Sequence, residues 1–285
     1  MGLYLRPRTI EEAVAALAAR GLAVLAGGTD FYPLRVGRAL DDDVLDVTAI
    51  DDLRGVTTMD DHWRIGAATT WRDIIDADLP PLFDGLKLAA REVGGAQIQN
   101  TGTLAGNLCN ASPAADGVPV LLALDADVVL QSAGASRTVP LADFIRGNRR
   151  TALRADEIMT AIRVPRRTGR SASHFLKLGA RRYLVISIAM AAGTIDVDAR
   201  GRIAAARIAI GACSEVAQRL PALEQALTGA PADGALVQQV SPSHFAPLAP
   251  VDDVRGSADY RLEAAATLTR RLLAALAAKI SGTPA

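Results

Sequence analysis

The sequence predicts a mixed α and β fold built in three successive blocks, and three observations lead there. An α-β-loop-α-β order over the first 50 residues reads as a small, largely parallel unit. A hairpin-and-helix pattern then runs from Leu53 to Val164. Beyond the polar linker Pro165-Arg166-Arg167-Thr168-Gly169, two long apolar segments around a turn and a final helix form the third block.

Taken in order, Thr9 with Glu12 three residues later is a capping-box pair, and Ile10, Val14 and Leu17 share the face of the helix it opens. Gly21 stands where a left-handed helix end would want glycine. Leu22 to Leu25 reads as a strand running into Ala26-Gly27-Gly28-Thr29-Asp30, and a second helix is expected from Phe31 to Leu34, with Val44 to Val47 as the next strand. In the second block, Gly55 to Met59 and Trp63 to Ala67 flank a turn at Asp60-Asp61, and Thr70 caps a helix through Ile75. Leu86 to Val93 reads as helix. The stretch Gly94 to Asn107 is too rich in glycine and side-chain amides to be ordinary core, and after it Ser112-Pro113 is expected to cap a helix carrying Val118 to Leu124. Strands at Asp127 to Gln131 and Ile158 to Val164 close the block. In the third, strands at His174 to Leu178, Ile186 to Asp196 and Ile203 to Cys213 precede helices near Leu223 to Leu227 and from Tyr260 to Ala278.

Composition narrows the function. Lys and Arg number 31 against 31 Asp and Glu, which argues against nucleic acid or an anionic membrane as the main partner. Half the residues are hydrophobic, enough for a packed core. No apolar run approaches the roughly 18 residues of a membrane span, and the start carries no secretory pattern, so a cytoplasmic protein is expected. With only Cys109 and Cys213, the chain alone cannot build a disulfide framework, a four-cysteine zinc site or an iron–sulfur cluster. His62, His174 and His244 lack ligand spacing, no G-x-S-x-G elbow exists, and no acid–base constellation stands out.

The informative features are two glycine segments, Ala26 to Asp30 and Thr101 to Asn107. Glycine turns backbone N–H groups to one side and lets them approach a ligand, and such a concave donor set binds phosphate without lysine. Two of them could grip the adjacent phosphates of a dinucleotide; equally, each reads as a tight turn. The Rossmann fingerprint fails, because no third glycine follows Gly28 until Gly37, although Asp46 lies at the right distance from Gly27 for its acidic residue.

The ordered set Ala26-Gly27-Gly28-Thr29-Asp30, Thr101-Gly102-Thr103-Leu104-Ala105-Gly106-Asn107, Ala111-Ser112-Pro113-Ala114-Ala115-Asp116, Glu157 to Pro165 and Lys177 to Arg182 resembles the FAD-binding medium subunits of molybdenum hydroxylases, the group of carbon monoxide and xanthine dehydrogenase flavoproteins. The resemblance implies an α+β protein with lobes at 1–54 and 55–168 enclosing FAD, and a C-terminal lobe at 169–285 with a three-stranded antiparallel sheet and helices. It places Leu25, Ala26, Gly27, Gly28, Thr29 and Asp30 along the pyrophosphate and ribityl region, and Thr103, Gly106, Asn107 and Asp116 at phosphate and ribose. Ile158, Met159 and Lys177 match positions beside the flavin, Lys177 favouring negative charge on the reduced ring. It implies partners too: a large molybdopterin-binding subunit and a small subunit with two [2Fe-2S] clusters, whose electrons FAD passes to an external acceptor.

Departures from the family pattern leave readings open. Tyr183-Leu184-Val185-Ile186 stands where some relatives carry acidic residues, so Tyr183 reads either as a ring stacking on flavin or as a packing aromatic at a strand start. Cys109 reads as a small buried hydrophobe or as a neighbour of the cofactor. A stand-alone FAD reductase using a nicotinamide donor and a non-redox nucleotide-binding module are the alternative functions.

Overall fold

The computed structural model describes residues 2–37, 39 and 41–282. In chain order its elements are β1 (Tyr4–Leu5), α1 (Ile10–Ala19), β2 (Ala23–Leu25), β3 (Val44–Asp46), β4 (Val56–Thr58), β5 (His62–Gly66), α2 (Trp71–Asp76), α3 (Asp84–Glu92), α4 (Ala96–Thr101), α5 (Leu104–Asn110), α6 (Gly117–Ala123), β6 (Asp127–Gln131), β7 (Ser136–Pro140), α7 (Leu141–Phe144), β8 (Ile145–Gly147), β9 (Arg150–Thr151) and β10 (Ile158–Pro165). They continue with β11 (Arg170–Leu178), β12 (Ala189–Val197), β13 (Ile203–Gly211), β14 (Gln218–Arg219), α8 (Pro221–Leu227) and α9 (Ala258–Ser281). These elements form two compact units. The first comprises 1–77, 96–111 and 126–165; the second, 78–95, 112–125 and 166–285.

In the first unit, β1, β3 and β2 pair in parallel in that order, so that Leu25 and Asp46 lie side by side where β2 and β3 end. Thr9 caps α1 by accepting from Glu12 N–H, and Glu12 reaches back to the N–H of Arg8, one residue before the expected partner. Gly21 is not a left-handed cap. α1 ends on Arg20 in extended conformation, whose N–H is satisfied by Ala16, so nothing there requires a positive φ. A five-stranded antiparallel sheet, β4-β5-β10-β6-β7, completes the unit around a bulge between Met159 and Ala161, and the carbonyl of Thr160 in that bulge accepts from Ala67 N–H. β7 is one strand more than expected. It alternates exposed Ser136 and Thr138 with half-buried Arg137 and Val139, pairs with β6, and is tied by Arg137 to Glu157 at 2.7 Å.

The second unit is a four-stranded antiparallel sheet, β11-β12-β13-β14, where three strands were expected. The addition is the two-residue β14, too short to leave a periodic signal. β12 is buried nearly throughout: Ala189, Ala191 and Ile195 enter the core that α8 and α9 complete, and Gly211 packs with Met190 against Pro119 of α6. Arg167, read as linker, is part of a charged cluster. It and Arg219 donate to Asp125 at 3.1 and 2.9 Å, Arg207 also pairs with Asp125, and Arg219 pairs with Glu224. The strand preceding Tyr183 ends at Leu178 and the next begins at Ala189, so Tyr183 lies in a loop and not at a strand start.

Candidate functional site

The glycine segment after β2 is set by its neighbours. Leu25 is buried at the strand end, Gly28 takes a φ of +71° that β-carbons resist, and Tyr32 N–H closes back on the Gly28 carbonyl. The expected helix from Phe31 does not form; the chain makes a single 3₁₀ turn at Pro33–Arg35, with the Tyr32 ring packed on Gly28. No helix therefore starts at Phe31 to lend its dipole to this loop. Ala26, Gly27, Gly28, Thr29 and Asp30 donate no backbone N–H to a protein acceptor among the described residues.

The second segment, by contrast, is mostly helical. Gln97 to Thr101 belong to α4, Leu104 onward to α5, and the turn between them is held at both sides. Gly102 N–H donates to Ile98 O at 2.7 Å, Thr103 caps α5 by accepting from Gly106 N–H at 3.0 Å, and Trp71 N–H donates to Gly102 O at 3.1 Å. Leu104 N–H donates to Thr69 O at 3.1 Å, and Thr70 and Thr103 form an antiparallel bridge. Thr69, Thr70 and Trp71 are thus supports, of which the sequence marked only Thr70, as a helix cap.

These two segments touch. A β-carbon on Gly27 would overlap the carbonyl oxygen of Thr101 and lie 2.9 Å from Gly102 Cα, while one on Gly102 would lie 3.4 Å from Thr29 Oγ1. Residues 75 positions apart, counting from 27 to 102, therefore share one backbone-to-backbone contact in which glycine is obligatory. The result is a surface on which the main-chain N–H groups of Ala26 to Asp30 are uncommitted, backed by the second segment and without a basic side chain in either motif, a donor set that fits a diphosphate. Gly106 and Asn107 are half-buried on α5, with Asn107 N–H donating to Thr103 O at 3.1 Å. Ile158 and Met159 are buried in β10, against which α5 packs.

The second unit holds the remaining candidates. The expected cap at Ser112-Pro113 is only a local turn, Ser112 Oγ accepting from Ala114 N–H at 3.3 Å. α6 begins instead after Asp116, whose carboxylate makes no cap bond and is spent elsewhere. Lys177 Nζ donates to Asp116 Oδ2 at 2.7 Å and to Glu92 O at 3.3 Å; Ser187 Oγ donates to Asp116 Oδ1 at 2.7 Å. Burial pushes the Asp116 carboxyl above the usual carboxylate range, with Lys177 and Ser187 pulling it back. Tyr183 is 66% exposed, with Arg182 over its ring at 5.6 Å. Burial pushes the Cys109 and Cys213 thiols up to about 12, so neither is a ready thiolate nucleophile.

A family model described as the FAD binding domain in molybdopterin dehydrogenase matches residues 1–167, and one described as the CO dehydrogenase flavoprotein C-terminal domain matches 174–276. The chain belongs to the FAD-binding subunits of the molybdenum hydroxylases. Among its relatives, the nicotinate dehydrogenase FAD-subunit of Eubacterium barkeri is 34% identical over 80% of both chains. The xanthine dehydrogenase FAD-binding subunit of Escherichia coli O157:H7 is 30% identical over 98% of this chain and 97% of its own. A solved structure of carbon monoxide dehydrogenase from Hydrogenophaga pseudoflava, lacking the Mo-pyranopterin moiety of its cofactor, matches with a TM-score of 0.87 at 29% identity over 98% of both chains. FAD is accordingly the cofactor of this flavoprotein subunit, and it is an oxidoreductase component. Among the described residues, no helix is long and apolar enough to cross a membrane.

Proposed function

We propose that this flavoprotein subunit carries FAD between an iron–sulfur partner and an external acceptor within a molybdenum hydroxylase complex. The observation that carries the reading is the obligatory glycine contact between Gly27 and Thr101, which seats the free N–H groups of Ala26 to Asp30 against the second glycine segment. Bound FAD supplies the redox chemistry, accepting electrons singly and releasing them singly or in pairs.

The chain's own residues bind and tune. Ala26 to Asp30 would hold the diphosphate by main-chain N–H groups, with Leu25 anchoring the loop and Thr103, Gly106 and Asn107 completing the patch. Thr69, Thr70 and Trp71 keep the second segment in register. Lys177 would set the charge beside the flavin, moderated by Asp116, and Tyr183 would meet the ring from its exposed loop. Ile158 and Met159 would act from beneath, as the apolar support of α5.

A large molybdopterin-binding subunit and a small subunit with two [2Fe-2S] clusters complete the proposed hetero-oligomer. The relatives are named for nicotinate, xanthine and carbon monoxide, so the oxidised substrate is proposed to be chosen outside this chain. A cytoplasmic location fits the two unpaired cysteines.

The test has two parts. Reconstituting the purified chain with FAD should give visible flavin bands at one per chain, and a colourless product would overturn the cofactor assignment. Co-expression with candidate partner genes should yield a complex of fixed ratio, whereas full substrate turnover by this chain alone would overturn the electron-carrier reading.

A further inference from the structure

Lys177 and Ser187 flank one connection, the loop from β11 to β12, and both end on Asp116. The side chains of Lys177 and Asp116 are only 6% and 8% exposed, and Ser187 is 2% exposed. The root of the loop is further closed by Ile188 N–H donating to Leu178 O at 2.8 Å and by Arg261 Nη1 donating to Ile188 O at 2.6 Å. Outward of this root the fastening stops. Tyr183, Leu184 and Ile186 are more than half exposed, Leu184 sits at a φ of +51°, and the recorded polar contact is internal, Arg181 Nη2 to Leu184 O at 2.6 Å.

A buried ion pair is a poor way to gain stability, since apolar packing of similar volume does as well or better. Its shape here is informative: one carboxylate divides its two oxygens between the group proposed to set the flavin's charge and the anchor of an exposed aromatic loop. We propose that Asp116 is a positioning residue that fixes both the Lys177 ammonium and the root of the Tyr183 loop. The Lys177 half rests on the FAD reading; the loop half does not.

Arg181 and Arg182 make the loop its own reporter: trypsin binds an extended stretch of chain longer than the exposed tip, so opening of the root speeds cleavage there. In the full chain, Ser187→Ala should speed cleavage after Arg181 or Arg182 about tenfold, the usual effect of losing one hydrogen bond to a charged acceptor on a local opening equilibrium. The flavin midpoint potential should stay unchanged. Asp116→Ala should speed cleavage and also raise the potential, since the Lys177 charge is no longer offset. The double variant should be cut no faster than Asp116→Ala, because both changes remove the same bond.

Wild-type cleavage rates in Ser187→Ala would overturn the loop anchor, and that single hydroxyl deletion decides the point even if Asp116→Ala does not fold. An unchanged potential in a folded Asp116→Ala protein would overturn the link to Lys177. Additive cleavage rates would overturn the shared carboxylate. A chain that takes up no FAD leaves the proteolysis decisive and removes only the cofactor reading.

Discussion

Gly27 and Gly106 occupy the two motifs in matching fashion, and their surroundings assign them different work. The space a Gly27 side chain would fill is already taken by the main chain at Thr101 and Gly102, which cannot rotate aside. Gly27→Ala should therefore push the two segments apart, lower the melting temperature and abolish FAD retention, although the added methyl never meets the ligand. At Gly106 the neighbour is the Thr103 hydroxyl at 2.8 Å, the flexible cap of α5, so Gly106→Ala exchanges part of a cap worth about 1 kcal/mol for better helix propensity of similar size. It should bind FAD within a few-fold of wild type. Flavin absorbance per chain after gel filtration, read with thermal melts, checks both; full flavin content in Gly27→Ala would show that the segments do not depend on their contact. The sequence pattern marked both glycines as close approaches, yet it could not say to what. A ligand and a neighbouring backbone impose the same demand on a single position.

At the scale of elements, α2 matters for what its start holds. Thr70 caps it through a reciprocal box with Asp73, accepting from Asp73 N–H at 3.1 Å while Asp73 accepts from Thr70 N–H at 2.9 Å, and the same residue bridges to Thr103. Thr70→Ala should cost about 1 kcal/mol of stability by loss of the cap. It should also weaken FAD binding several-fold, because the Gly102 turn rests on this helix start; a stability loss with unaltered FAD affinity, measured by flavin fluorescence titration, would confine Thr70 to capping. Elements of this kind were legible where local chemistry and periodicity agreed: the Thr70 cap, the β4–β5 hairpin, β6, and the long strands β12 and β13. The misreadings share a cause, namely competition settled by distant contacts. Phe31 to Leu34 carries helix-compatible residues, but Gly28 in the left-handed region beneath the Tyr32 ring leaves room for one 3₁₀ turn only. Thr101 to Asn107 reads as a glycine loop, yet Thr101 ends α4, which packs on α2, and Leu104 opens α5. The Asp116 bonds to Lys177 and Ser187 span 61 and 71 residues, separations that no local pattern records.

For the molecule as a whole, charge placement sets how stability answers to pH. The carboxyl of Asp125 is pushed up by burial, but Arg207, Arg219 and Arg167 outweigh this and hold it below the usual range; Arg137 does the same for Glu157. Both stay ionised through mild acid. His174 behaves otherwise. It lies on β11 with its Nδ1 buried and without a protein partner among the described residues, and burial together with Lys279 lowers its pKa to about 4, Asp84 opposing. Between pH 6.5 and 4 the unfolded chain binds a proton there that the native chain refuses. Native stability is therefore intact above pH 6.5 and declines as pH falls toward 4, by about 2 kcal/mol at pH 5. Asp116, raised by burial, titrates with the opposite sign, so the total slope mixes the two, and His174→Gln separates them. Wild type should lose several degrees of melting temperature between pH 7 and pH 5 in differential scanning calorimetry, and His174→Gln should lose little. An equal loss in both proteins would move the acid sensitivity to another group and leave His174 neutral in the unfolding equilibrium.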